Sequence, residues 1–360
     1  MKRFLLISMI CFLFFSCTKR EHTVTVGVML PLTGDLAMYG VAIKNGIDLA
    51  YAGSNNQDHI RLIFEDDMGD ARTSTSAVNK LLTIDKVDVI IGGAASHIAS
   101  PIIPITSRNK TVVISPFATA DALFVPGNYF FSLMPADNSE GQFMADYVVS
   151  ENIESVGILY INNDFGVGMV SAFTKGLENT NVNVLFSEGY REGETNFRSQ
   201  ITRMTNVGVK AVYLLGFFAE NSRILRQMHE LGANFQLLGT NGFYDPRYIE
   251  QLDFIVDGIV FCMPSSDSSV EEIFEEFVKN YTQEFGLEPD LFAIQGYNSF
   301  KLIDHIISEN SLNEQIDFES ALREIKDFQG VNSVINFEAD GSARKYLRLM
   351  TIRNGMFEEL

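Results

Sequence analysis

Three hydroxyls stand where apolar runs end and chains often do chemistry: Ser96 in IIGGAASHIASP, and Ser115 and Thr119 in VVISPFATAD. A serine nucleophile needs a base within hydrogen-bond reach, and in many hydrolases a strained Gly-x-Ser-x-Gly turn exposes it. Ser115 lies in no such turn, and nothing in the sequence identifies a base for it. The five histidines, at 22, 59, 97, 229 and 305, are scattered without metal-ligand spacing, and no Cys-x-x-Cys occurs. His97 reads as a helix-surface residue. The glycines of GG and GDLAMYG lack both the Gly-x-Gly-x-x-Gly of dinucleotide sites and the lysine of a phosphate loop. The carboxylates of FEEFVKN read as a solvated helix face. Catalysis, a cofactor and a metal are therefore not expected.

Binding suits the same residues better. Two glycines let the backbone turn tightly before Ser96, which is placed to cap the following helix, and Thr119 repeats the arrangement with Asp121 in the next first turn. A helix start offers unpaired N–H groups and about half a positive charge, so two neighbouring starts could grip one carboxylate or phosphate without an arginine. Plain N-capping explains Ser96 and Thr119 equally well, and the residues alone leave both readings open.

The elements that must hold these residues alternate along the chain. TVTVGVMLP precedes a helical period over 39–52, IRLIFEDD one over 73–84, VDVIIGG one over 97–107, and TVVISP a short helix after Thr119. A second round follows: SVGILYI with 168–179, NVNVLFSEGY with 196–206, AVYLLG with 221–231, then QLLGTN and GIVFCMP. Strands alternating with helical segments predict βαβ units and doubly wound parallel sheets, here α/β architecture in two half-chains without a residue-level repeat. Helical periods over 270–285 and 293–309 come next, and two alternating strands are expected around the turn ADGS. In such sheets ligands sit beyond the carboxyl ends of the strands, which directs attention to 31–40, 92–97, 115–121, 162–168, 216–220 and 239–245.

Length and charge narrow the class. Lys2 and Arg3 precede an apolar run, 4–15, that is too short to span a bilayer and reads as a signal peptide. Cys17 after Ser16 resembles a bacterial lipobox, which implies a lipid-anchored periplasmic or cell-surface protein with residues 18–22 as a tether. The remaining chain suffices for two domains. With Cys17 lipidated, Cys262 has no partner for a disulfide and reads as a buried small hydrophobe. A net charge of −19 argues against nucleic acid as a partner.

Taken in order, VGVMLPLTGDLAMYG, EDDMGDARTSTSAVNKLL, VIIGGAAS, VISPFATAD, LYINNDFGVG, EGETNFRSQITRM and FEADGSARKYLRLMTIRNG resemble the periplasmic branched-chain amino-acid binding proteins of ABC transporters. The resemblance implies a type I periplasmic binding fold. Its two α/β lobes, 23–136 plus 264–336 and 137–263 plus 337–360, are joined by a three-crossing hinge that closes around a ligand. It further implies a monomer that hands its solute to membrane permease subunits. By position, the family's carboxylate-holding serine corresponds to Ser96, and its backbone and threonine donors to Phe117 and Thr119. Tyr39, Ala94, Ala95 and Phe292 would line the side-chain end of the pocket. Three positions depart from the family pattern: two tyrosines are Phe165 and Phe217, and the acidic partner of the ligand ammonium is Asn241. A buried ammonium without a carboxylate partner is costly, so the expectation is a kept anion end and an altered cation end. The ligand would be a small carboxylate with an apolar or aromatic body, or an amide facing Asn241, with an aliphatic amino acid as the alternative. Asp164, Glu220 or Asp245 are candidate substitutes for the missing acid. A sensory receptor built on the same fold is the second functional reading, and a cleft hydrolase the third.

Overall fold

The computed structural model describes residues 23–265 and 268–360. The expected signal peptide, Cys17 and the tether lie outside the described residues. Five strands form the first sheet: β1 (Val24–Leu30), β2 (Ile60–Asp66), β3 (Val89–Gly92), β4 (Val112–Ser115) and β5 (Phe130–Ser132), all parallel, in the order β2-β1-β3-β4-β5. Every residue of β1, β3 and β4 is buried, as a parallel sheet covered on both faces requires, whereas β2 at the edge is only partly covered.

The second sheet contains β6 (Ser155–Ile161), β7 (Asn183–Tyr190), β8 (Ala211–Leu215), β9 (Gln236–Gly239) and β10 (Val260–Pro264). β11 (Phe328–Gln329) and β12 (Val334–Ile335) make a separate short pair, after which β13 (Leu347–Arg353) and β14 (Met356–Glu359) return to the second sheet. Its order is β14-β13-β10-β9-β8-β6-β7, parallel except that β13 is antiparallel to both β10 and β14. The chain thus passes between the sheets three times: after β5, after β10 and after β12. The hairpin expected around ADGS shrinks to a single bridge, Phe337 to Ala343, because β13 takes its hydrogen bonds from β10 and β14 instead.

The helices are α1 (Ala37–Ala52), α2 (Ala71–Lys80), α3 (Ser96–Asn109), α4 (Asp137–Ser150), α5 (Asp164–Gly176), α6 (Arg198–Val207), α7 (Phe218–Glu230), α8 (Pro246–Leu252), α9 (Glu271–Phe285), α10 (Leu291–Glu309) and α11 (Phe318–Glu324). α4 has no counterpart among the expected helices, although its buried residues Asp137, Glu140, Met144 and Val148 recur at helical spacing. α1 lies against α10 at backbone contact. A Cβ on Gly46 would come within 2.0 Å of Ala293 O, and one on Gly296 within 2.1 Å of Ile43 O. That approach brings the start of α10, which carries Phe292, beside Tyr39 of α1.

In both sheets the strand order reverses beside the first strand of the lobe, between β1 and β3 and between β6 and β8. Crevices form at such reversals, outside the carboxyl ends of the strands.

Candidate ligand-binding cleft

The two crevices face each other and enclose one cleft of about 670 Å³, its open mouth included. Tyr39, Ala94, Ala95, Ser96, Phe117, Thr119, Phe165, Phe217, Asn241 and Phe292, the ten positions singled out in the sequence, all line it, together with Pro31, Leu36, Gly216, Thr240 and Gly242. Each comes from a strand end or a helix start, which is why positions so far apart in the chain converge.

Aromatic rings form the walls. Phe117 stacks on Phe292 with centroids 4.2 Å apart, Tyr39 lies 4.3 Å from Phe292, and Phe165 stacks on Phe217 at 6.0 Å. The lobes also touch across the cleft: the N–H of Phe218, at the start of α7, donates to Tyr39 Oη at 2.7 Å. The Arg247 guanidinium, ion-paired to Asp245, lies 5.2 Å from the Tyr39 ring centroid and 4.8 Å from that of Phe218. Burial holds the Tyr39 hydroxyl well above the usual phenol range, so it stays protonated.

Where β3 and β4 end, the hydroxyls have divided labour. Ser115 is fully buried, donates to Gly93 O at 2.8 Å and accepts from the N–H groups of Phe117 (3.3 Å) and Ala118 (2.9 Å), so it clamps the turn and is no nucleophile. Gly93 adopts φ +64°, the left-handed conformation that this turn requires. Ser96 is not the cap of α3. Ala95 occupies that position without a side-chain bond, and Ser96 Oγ instead accepts from Thr119 N–H (3.2 Å) and Ala120 N–H (3.1 Å). With both acceptor positions occupied, the Ser96 O–H remains as a donor on a residue that lines the cleft. The second helix start expected after Thr119 is only a three-residue 3₁₀ turn, Asp121–Leu123, preceded by Ala120. Thr119 lies instead beside the Asp137 carboxyl, whose oxygens are buried without a well-formed hydrogen bond. His97 donates from Nε2 to Gly69 O at 3.2 Å, since a carbonyl only accepts.

At the other end, Asn241 donates its main-chain N–H to Glu140 Oε1 (3.2 Å) and its Nδ2 to Oε2 (2.5 Å). Glu140 sits behind Asn241 on α4 and does not line the cleft. None of the three acids considered as substitutes lines it either. Asp164 is exposed on a helix capped by Asn163, Glu220 accepts from Gly193 N–H at 2.9 Å, and Asp245 caps α8. Among the described residues, no three His, Cys, Asp or Glu side chains gather as a metal site would require.

Three buried acids and the half-buried Asp290 have pKa values displaced in the same direction by loss of water. Burial raises Glu140 from 4.5 to about 7, Asp67 and Asp290 from 3.8 to about 6, and Asp137 well above 3.8. A group with a raised folded-state pKa stabilises fully below its unfolded value, and that contribution is lost as pH climbs through the folded value. For Glu140, a midpoint moved from 4.5 to about 7 amounts to about 3 kcal/mol. Lys345, lowered by burial to about 7, acts in the opposite sense only above that pH. The melting temperature of the ligand-free protein should therefore fall by several degrees between pH 5 and pH 7 in scanning calorimetry. A rise over that interval would contradict the burial of these carboxyls.

Two facing α/β lobes around an apolar, aromatic-walled cleft define a two-lobed solute-binding fold. A periplasmic binding protein family model matches residues 23–356, and the chain belongs to that family. It is 27% identical over 232 residues to Leu/Ile/Val-binding protein homolog 3 of Brucella melitensis, covering 62% of this chain and 63% of that protein. It is 26% identical over 329 residues to homolog 2 of Brucella abortus, covering 88% of this chain and 87% of that one. The branched-chain amino acid transporter substrate binding protein LivJ of Streptococcus pneumoniae, solved with isoleucine, superposes with a TM-score of 0.84 at 25% identity, over 94% of this chain and 99% of that one. The lobes and their parallel sheets are those of type I periplasmic binding proteins. Among the described residues no helix is long and apolar enough to cross a membrane.

Proposed function

We propose that this protein is the non-enzymatic solute-binding component of an ABC importer, taking a small carboxylate-bearing organic solute into the cleft. The lobes, 23–136 plus 264–336 and 137–263 plus 337–360, close about their three crossings and present the closed form to permease subunits. Lipid on Cys17 would keep the protein at the membrane as a monomer. The observation that carries this reading is the convergence of Ser96, with its O–H left as a donor, and four phenylalanine walls on one cleft between two lobes. Such a site grips a carboxylate at one end and an apolar body along its length.

Calorimetric titration with leucine, isoleucine, valine and benzoate tests it. At least one should bind one-to-one with a Kd of about 1 μM, or about 8 kcal/mol, and should reduce the radius of gyration measured in solution. A protein that binds none of them, and retains no carboxylate in native mass spectrometry after gentle purification, would rule the proposal out.

A further inference from the structure

Asn241 stands where the family pattern has an acid, and an asparagine side chain can present either its carbonyl or its NH2 to a ligand. The surrounding hydrogen bonds orient that amide. Glu140 takes both the main-chain N–H and Nδ2 of Asn241 from behind, at 3.2 and 2.5 Å. An ionised carboxylate only accepts, so Nδ2 faces it through one of its two N–H groups, which fixes the orientation of the amide and turns Oδ1 away from Glu140 on a residue that lines the cleft. Glu140 is itself 2% exposed and held in place by packing, one turn beyond Asp137 on a helix whose same face carries Met144 and Val148.

Building on the carboxylate-cleft reading above, we propose that Glu140 is a positioning residue for specificity: it orients the Asn241 amide so that Oδ1 serves as an acceptor, and the favoured solute carries an N–H donor within reach of that oxygen. The acid missing from the cleft wall thus stands one residue further back, acting through an amide. Its negative charge polarises that amide toward the ligand and strengthens Oδ1 as an acceptor. The groups facing Glu140 are Asn241 from the 3₁₀ turn after β9, the Cys262 thiol of β10, the Tyr213 hydroxyl of β8 and Asp137 of α4. The thiol and Asn241 donate to the ionised carboxylate and favour it, while burial opposes it and places its titration near neutrality, at about 7. A solute without an N–H leaves Oδ1 desolvated and unpaired, which is the source of the discrimination.

The test uses matched pairs of carboxylates with and without an amino group, leucine against 4-methylpentanoate and phenylalanine against 3-phenylpropanoate, on the full protein and on Glu140→Gln. The wild-type protein should prefer the amino member of the pair that fits by about 30-fold, the factor for one buried acceptor left unpaired. Glu140→Gln should lose most of that preference while its affinity for the des-amino member changes by less than about threefold, because the carboxylate end of the cleft is untouched. In the wild type alone, affinity for the amino member should rise from pH 6 to pH 8 as Glu140 ionises, and affinity for the des-amino member should stay flat. This pH series decides the matter even if the variant folds poorly. Equal binding of both members by the wild type, or full discrimination retained by Glu140→Gln, would overturn the role of Glu140 and leave the carboxylate cleft standing. Failure of every carboxylate to bind the wild type would remove the cleft reading and this one together.

Discussion

Ser96→Ala should weaken carboxylate binding about 100-fold and leave the protein folded. The Ser96 hydroxyl is saturated as an acceptor by Thr119 N–H and Ala120 N–H, so its proton is left to donate on a residue that lines the cleft. A hydrogen bond from that proton to a carboxylate is worth about 1.5 to 3 kcal/mol, and about 2.7 kcal/mol corresponds to 100-fold in affinity. Alanine also releases the two N–H groups that tie the Phe117–Ala120 turn to the start of α3, which loosens a wall of the cleft. Calorimetric titration of the variant with whichever carboxylate the wild type binds gives the affinity, and a thermal melt within a few degrees of wild type separates lost contact from lost fold. Unchanged affinity would mean that the anion is held elsewhere.

Gly46→Ala is expected to be strongly destabilising. The new Cβ would lie 2.0 Å from Ala293 O and 2.7 Å from Tyr297 N, both main-chain atoms of α10 that no rotamer change can move. α1 and α10 must separate, and overpacking of this kind costs about 3 kcal/mol. Because Tyr39 rides on α1 and Phe292 opens α10, the same separation pulls two cleft walls apart, and ligand affinity should fall with stability. Gly53→Ala is the matched control. It ends the same helix at φ −91°, its nearest neighbours would be 3.7 Å from the new methyl, and its melting temperature should be unchanged or slightly higher. Equal melting temperatures for the two variants would show that the helices are not in backbone contact.

Much of the position of the cleft is legible in the sequence, and the reasons are local. A strand buried on both faces reads as a continuous apolar run, and the residues that follow it are fixed at the crevice by the topology of a parallel sheet. That logic located Ser96, Thr119 and the segments 162–168, 216–220 and 239–245, within which the family resemblance singled out Phe165, Phe217 and Asn241, as it did Phe117 beside Thr119. It misjudged how the hydroxyls are used. Ser96 was expected to cap its own helix, yet its acceptor positions go to a neighbouring turn 23 and 24 residues away. Thr119 was expected to open a helix, yet the chain makes only one 3₁₀ turn before β5.

The sequence by itself determined the α/β architecture in two halves and the strand ends where a ligand sits, because burial and turn chemistry are written in short-range patterns of apolar and small residues; the interlobe cleft and most of its wall came from the family resemblance. Only the tertiary structure decided the chemistry at the Asn241 side of that cleft. Asn241 looked like a lost charge, and the acids nearest to hand, Asp164, Glu220 and Asp245, turned out to serve helix ends, a loop and an arginine. The acid that matters, Glu140, is 101 residues from Asn241 and comes from a helix of the same lobe. Likewise the Tyr39 hydroxyl meets its donor, Phe218 N–H, 179 residues away and across the cleft. A buried polar group is defined by the partner that satisfies it, and that partner is chosen by packing rather than by spacing along the chain.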